Sequence, residues 1–271
     1  MHKMGRRKMQ PGTCLLCGQD KLLNFEHVPP RSAFNKSTRY VSVPSDEYTK
    51  ISNPIKNPPK GKILQGGTGY YAFCEDCNNF LGRNYVPSYN RWVNAGAVIL
   101  GKFPPNINSV LFTATQVEPL SILKQVVSML LALNDATYLK AYPELSSFVR
   151  DPNSRELPEK YQVYAYLNNE GQLRHKSHSL VSAPEFGMVN CTELAFPPFG
   201  YVLTMDHEGK LGKLTNITNF KMYYPSEKVD LPIGLLKLPT YIPLSPLDYR
   251  SKEQIEKAMN LSEEYRRKHN L

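Results

Sequence analysis

Short runs of apolar and aromatic positions come first in this chain, and longer apolar stretches follow them. Residues 21–27 and 70–73 have the composition of two short strands, and Pro29 and Pro30 end the first of them. A helix is predicted from about Glu75, because the apolar positions that follow share one helical face. We therefore expect the order strand, long loop, strand, helix in the first third of the chain.

The second half has a different pattern, with long apolar helices followed by alternating strands. Residues 121–133 are apolar on nearly every side, which predicts a buried helix. A capping box, in which Ser251 is followed by Gln254, predicts a final amphipathic helix. Further predicted elements are a strand at 110–117, a helix at 138–149 and strands at 161–167, 173–181, 186–195 and 201–205.

A Gly- and Pro-rich stretch at residues 101–108 separates these patterns and indicates a domain boundary. At 271 residues, with 41% hydrophobic and 11% aromatic residues, the chain can bury a sizeable core. We predict an α+β protein with two domains, residues 1–104 and residues 105–271. The second domain is expected to contain an antiparallel sheet.

Two Cys-x-x-Cys motifs offer four thiolates, which is the number and type of ligand that tetrahedral zinc prefers. They are Cys14–Cys17 and Cys74–Cys77. The motifs predict one structural zinc ion. Cys191 is the remaining cysteine, and it is expected to be a small buried hydrophobic residue.

Glu26 and His27 lie between the two cysteine motifs, and Asn78 follows the second motif directly. Closing the zinc site would bring these groups near each other. A carboxylate and an amide offer hard oxygen ligands for Mg²⁺, and imidazole is a base near neutral pH. The pattern favours a hydrolytic site beside the structural metal.

The order Cys-x-x-Cys, Glu-His-x-x-Pro, Cys-x-x-Cys-Asn-x-x-Leu-Gly resembles the HNH, or ββα-metal, endonucleases. It is similar to the branch that ends in Asn, which includes endonuclease VII-type junction resolvases. The resemblance covers roughly residues 14–90. It implies a treble-clef-like ββα nuclease domain that hydrolyses phosphodiester bonds with catalytic Mg²⁺ or Mn²⁺.

The resemblance also implies roles for individual residues. His27 would be the general base, Glu26 and Asn78 would hold the catalytic ion, and Arg83 would help to position the substrate. The Asn that orients the catalytic His in the family has no single counterpart among Asn35, Asn53 and Asn57. Backbone carbonyls are the alternative for that role.

Positive charge is concentrated near these motifs. Residues 1–65 hold twelve Lys and Arg against four Asp and Glu, a net charge of +8 out of +9 for the chain. Such clustering favours a polyanionic partner. We expect nucleic acid, DNA rather than RNA, with substrate contacts from the loop after the first strand, at Arg31, Lys56, Lys60 and Lys62.

The remaining expectations concern location and partners. No signal peptide or membrane span is predicted, so a cytoplasmic protein is expected. Residues 105–271 are expected to restrain or direct the first domain, either through a homodimer or through a protein partner. A role in phage defence follows from resemblance to two-part defence nucleases, and the alternative function is a zinc-stabilised nucleic-acid-binding or adaptor module without catalysis.

Overall fold

The computed structural model describes residues 8–51, 53–104, 107–168, 170–183, 187–207 and 211–269. Its first part places strands around the cysteine motifs and ends in two helices. The elements in chain order are β1 (Gln10–Thr13), β2 (Asp20–His27), an irregular helical turn (Arg31–Asn35), β3 (Tyr40–Ser42), α1 (Ser45–Thr49), β4 (Lys62–Leu64), β5 (Gly69–Cys74), α2 (Glu75–Asn84) and α3 (Val86–Lys102).

The predicted order of strand, loop, strand and helix is present. β2 pairs antiparallel with β1 on one side and with β5 on the other, and α2 follows β5 without a break. The long loop between β2 and β5 contains a small hairpin of β3 and β4. α3 begins directly after Tyr85, at Val86. Pro87 fits in its first turn, because no backbone N–H is needed there.

The second part contains buried helices and an antiparallel sheet, as predicted. Its elements are β6 (Ser109–Val117), α4 (Pro119–Ala132), α5 (Ala136–Ala141), α6 (Pro143–Arg150), β7 (Tyr161–Leu167), β8 (Arg174–Ala183), β9 (Gly187–Phe196), β10 (Phe199–Met205), β11 (Thr215–Asn216), a 3₁₀ turn (Thr218–Met222), β12 (Val229–Leu236) and α7 (Lys252–His269). The main sheet has the order β11-β7-β10-β9-β8, and β6 pairs with β12.

Local sequence explains most of these elements. Every residue of α4 is buried, which confirms the apolar helix, and Ser251 and Gln254 form the predicted capping box. The single helix predicted for residues 138–149 is wrong. Pro143 divides it into α5 and α6, because proline cannot donate the hydrogen bond that would continue the first helix.

One buried hydrophobic cluster includes residues from both predicted domains. Trp92 of α3 stacks on Phe199 at 4.6 Å between ring centroids and donates a hydrogen bond to Tyr201 Oη at 2.9 Å. Arg91 forms an ion pair of 2.8 Å with Glu118. The two-domain division stays a prediction, and residues 105–106 of its boundary lie outside the described residues. Residue 186, where the strand predicted at 186–195 begins, also lies outside them. The two segments nevertheless share buried surface.

A fully buried ion pair anchors the segment that follows β12. Arg174 of β8 contacts both carboxylate oxygens of Glu193 at 3.0 and 3.1 Å and donates hydrogen bonds to the carbonyls of Ile242 and Asp248. Glu193 also accepts a hydrogen bond from the Leu247 N–H. These bonds satisfy charges that would be costly to bury alone, and they fix the chain leading to α7.

His175 of β8 joins the second part to the first. Its Nδ1 lies 3.1 Å from Tyr70 Oη of β5. Its Nε2 is buried and has no hydrogen-bond partner. Burial lowers the pKa of His175 from 6.5 to about 4, because the charged imidazolium would lose its hydration.

We predict that His175 makes the fold sensitive to acid. Below pH 6.5 the unfolded chain binds a proton that folded His175 does not bind, so the contribution of His175 to the free energy of unfolding falls until about pH 4. The pKa shift of His175 corresponds to a loss of about 3 kcal/mol in the free energy of unfolding between these two pH values. His175→Phe should flatten this pH dependence in denaturant titrations.

The matched control is His269→Asn, which changes an exposed histidine at the end of α7. It should keep the acid dependence of the parent. A His175→Phe protein that loses stability between pH 6.5 and 4 as steeply as the parent would contradict the assignment.

Candidate functional site

The two cysteine motifs meet in space. Cys14 and Cys17 lie in the turn between β1 and β2, Cys74 ends β5, and Cys77 lies in the first turn of α2. Their sulfur atoms all lie within 4.8 Å of one another. The Cys74 N–H donates a hydrogen bond of 3.3 Å to Cys14 Sγ. The four side chains could therefore bind one metal ion.

The donor set fits zinc. Four thiolates at this spacing match a closed tetrahedral site, and such sites are structural because no position is left for substrate. Cys191 lies apart from the cluster and is fully buried. Burial raises the pKa of its thiol to about 12, which agrees with the prediction of a small hydrophobic residue.

The predicted polar residues lie beside this cluster. Glu26 and His27 end β2, and Asn78 follows Cys77 in α2. The side chain of Asn78 lies near the Glu26 carboxyl and favours its ionised form, which lowers its pKa, but by less than burial raises it. Glu26 keeps some exposed surface, but surrounding protein atoms desolvate its carboxyl and raise its pKa to about 8. The structure thus brings together two side chains that carry hard oxygen donors.

A backbone carbonyl orients His27. Its Nε2 lies 3.0 Å from the carbonyl oxygen of Gly66. Because a carbonyl can only accept, Nε2 carries the proton in the neutral ring, and the lone pair is on Nδ1. The Phe25 ring packs edge-on against the imidazole, with 5.2 Å between centroids. This contact restricts the ring further.

Asn35 holds the loop that contains this carbonyl. Its side chain is fully buried and donates hydrogen bonds to the carbonyls of Pro29 at 2.6 Å and Thr68 at 2.8 Å. Its Oδ1 accepts a hydrogen bond of 2.9 Å from the Thr68 N–H. The sequence does not distinguish Asn35 from Asn53 and Asn57, because no local pattern shows which side chain spans the loop.

Two glycines allow the backbone to approach the site closely. Gly67 has a φ of +88°, and a Cβ there would collide with the Asn35 carbonyl and lie 2.9 Å from His27 Cδ2. A Cβ at Gly69 would collide with the Glu26 carbonyl. Both positions therefore require glycine in this geometry.

The predicted substrate-binding residues lie on the segment between β2 and β5 and on α2. Arg31 begins the helical turn after β2, and Arg83 lies in the last turn of α2. Lys56 and Lys60 lie on the segment that leads into β4, and Lys62 is the first residue of β4. All five side chains are exposed to solvent. Their contact with nucleic acid stays a prediction.

Comparisons of the chain with protein-family models, with curated proteins and with solved structures gave no match. Within the described residues, no helix is both long enough and apolar enough to span a bilayer. The assignment of a function therefore depends on the geometry of the site and on the motif resemblance.

We predict that the protein contains one zinc ion per chain and that Cys77→Ser loses it. In small zinc-folded units the metal contributes about 10 to 16 kcal/mol, so the variant should also unfold around β2, β5 and α2. Elemental analysis and circular dichroism measure the two effects.

Cys191→Ala is the matched control, since it removes a buried thiol outside the cluster. It should keep the full zinc content. Folded parent protein without any bound zinc would refute the metal assignment.

Proposed function

We propose that this protein is a metal-dependent endonuclease that hydrolyses phosphodiester bonds, with DNA as the favoured substrate. The observation that carries the proposal is the arrangement around His27. Its ring is oriented by the Gly66 carbonyl, and the side chain of Asn78 lies near the carboxyl of the neighbouring residue Glu26. A structural cysteine cluster alone does not require any of these three side chains.

The orientation of His27 suits a general base. Water would give a proton to Nδ1 while its oxygen forms a bond to phosphorus. The bond from phosphorus to the 3′ oxygen would break, and that oxygen would take a proton from solvent. The resemblance to HNH enzymes implies the same products, a 5′-phosphate and a 3′-hydroxyl. Base catalysis of this kind contributes about 10² to 10⁴ in rate.

Glu26 and Asn78 fit the second role that the resemblance implies. Their oxygen atoms are the ligands that Mg²⁺ and Mn²⁺ prefer, and they project from two different elements, β2 and α2. A bound divalent ion would stabilise the negative charge that develops on the phosphate oxygens. The zinc proposed for the cysteines would hold α2 in a fixed position relative to β2.

The charge of the surrounding chain supports a nucleic-acid substrate. The segment between β2 and β5 includes exposed Lys and Arg side chains, and residues 1–65 hold nearly all of the net charge. Cations of this kind bind phosphates without sequence preference and release counterions. Phage defence remains a proposal from resemblance alone.

We predict that His27→Ala lowers metal-dependent cleavage by about 10² to 10⁴ because it removes the base. Cleavage of plasmid, single-stranded DNA and RNA should be measured with and without Mg²⁺ or Mn²⁺. Binding of the same substrates should change little, since one neutral ring contributes little phosphate affinity.

The control for His27→Ala is His269→Ala, which should cleave at the parent rate. If His27→Ala also cleaved at that rate, His27 would not be the base. Binding without any cleavage by the parent protein would favour the non-catalytic adaptor.

We predict that replacing Lys56, Lys60 and Lys62 with Ala weakens binding equally for different sequences. Each lost phosphate contact should reduce the slope of log affinity against log salt concentration by about one. Fluorescence anisotropy at several salt concentrations measures this slope.

A matched triple variant at Lys140, Lys228 and Lys252 changes exposed lysines of the second part by the same charge. It should keep the parent slope. If both triple variants reduced the salt slope equally, net charge rather than the position of Lys56, Lys60 and Lys62 would determine binding.

A further inference from the structure

Phe34 is an exposed aromatic residue in an unusual backbone conformation. It lies in the helical turn Arg31–Asn35, with φ 64° and ψ 2°, and 52% of its surface is exposed. Bulky residues rarely adopt the left-handed region, and such residues are concentrated at functional sites. A single exposed apolar side chain needs no explanation by itself. An exposed aromatic ring on a residue with a disfavoured backbone conformation does need an explanation.

The turn holds Phe34 firmly. Thr38 Oγ1 donates a hydrogen bond of 3.2 Å to the Phe34 carbonyl. The next residue is Asn35, whose buried side chain bonds to the backbone on both sides of the loop. On the other side, Ser32 Oγ hydrogen-bonds to Asn90 of α3 at 3.0 Å. The ring is therefore presented to solvent by a turn that is fixed at both ends.

The turn lies beside the candidate catalytic residue. A Cβ at Gly67 would touch both the backbone of Asn35 and the ring of His27, so these two residues adjoin the same point. Phe34 directly precedes Asn35. Arg31, Lys36 and Arg39 are exposed and lie within five residues of Phe34 in the chain. An aromatic surface among cations, next to a phosphodiester-cleaving site, is complementary to a nucleotide, which has an apolar base and a charged phosphate.

We propose that Phe34 stacks on a nucleobase next to the scissile phosphate, and that the protein therefore prefers nucleic acid with unstacked bases. This inference rests on the proposed nuclease function. In a continuous duplex each base is already stacked on its neighbours. In a single strand or at a gap the face of a base is open to an aromatic side chain. Stacking does not depend on which base is present, so this preference concerns structure rather than sequence.

The first test compares cleavage of a single-stranded oligonucleotide, a duplex with a one-nucleotide gap and the continuous duplex. The parent should prefer the first two. Phe34→Ala and Phe34→Leu should reduce that preference by about 5- to 150-fold, the range that corresponds to one base–aromatic stack. Phe34→Tyr retains a ring and should retain the preference. Tyr265→Ala removes a ring that is 60% exposed on α7 and should change nothing.

The second test measures stacking without cleavage. In the His27→Ala background, a single strand that contains 2-aminopurine should lose fluorescence on binding, and Phe34→Ala should abolish that quenching. Thermal unfolding should confirm that the variants fold. If cleavage depends on His27 while Phe34→Ala keeps both the preference and the quenching, the stacking inference is wrong and the nuclease proposal stands. If the parent never cleaves but the quenching depends on Phe34, the nuclease proposal fails and stacking stands.

Discussion

The cysteine cluster is the constraint on which the candidate site depends. Cys14 and Cys74 are 60 positions apart in the chain, yet their sulfurs lie in one group with those of Cys17 and Cys77. Asn78 directly follows Cys77 in the chain. β2 pairs with β5, and in this pairing Leu23 lies opposite Cys74 and His27 lies opposite Gly69. The position of the sulfurs therefore sets the distance between α2 and the end of β2. Neither strand is long enough to maintain this register alone.

A polar clamp fixes the opposite end of the same strands. The hydrogen bonds of Asn35 to Pro29 and Thr68 close a loop whose entropy would otherwise favour many conformations. Gly67 allows this closure because a side chain there would occupy the space of the clamp. The cysteines and Asn35 thus hold the β2–β5 pair at its two ends, and Glu26 and His27 lie between these two fixed points.

The sequence predicted elements where one local signal dominates. Alternating or continuous apolar runs predicted β2, β5, α4 and β7 to β10 of the main sheet, and the spacing of the cysteines predicted their cluster. β12 was missed because Pro232 and Gly234 interrupt its pattern, although each fits where it lies. The clamp of Asn35, the buried pair of Arg174 and Glu193 and the bond from Tyr70 to His175 were missed for another reason. Each depends on residues far apart in sequence, and no spacing rule connects them.

The environment of Glu26 links the second part of the chain to the site. Glu26 is directly opposite Tyr70 in the β2–β5 pairing, so the two side chains lie on the same face, and His175 of β8 lies against the Tyr70 hydroxyl. Burial on this face opposes ionisation of the Glu26 carboxyl, whereas a bound cation would favour it. Binding of a divalent ion would then release a proton from Glu26 near neutral pH. His175 thus contacts a residue on the same face of the β2–β5 pair as Glu26, which gives residues after 104 a physical connection to the site even though they supply none of the proposed ligands.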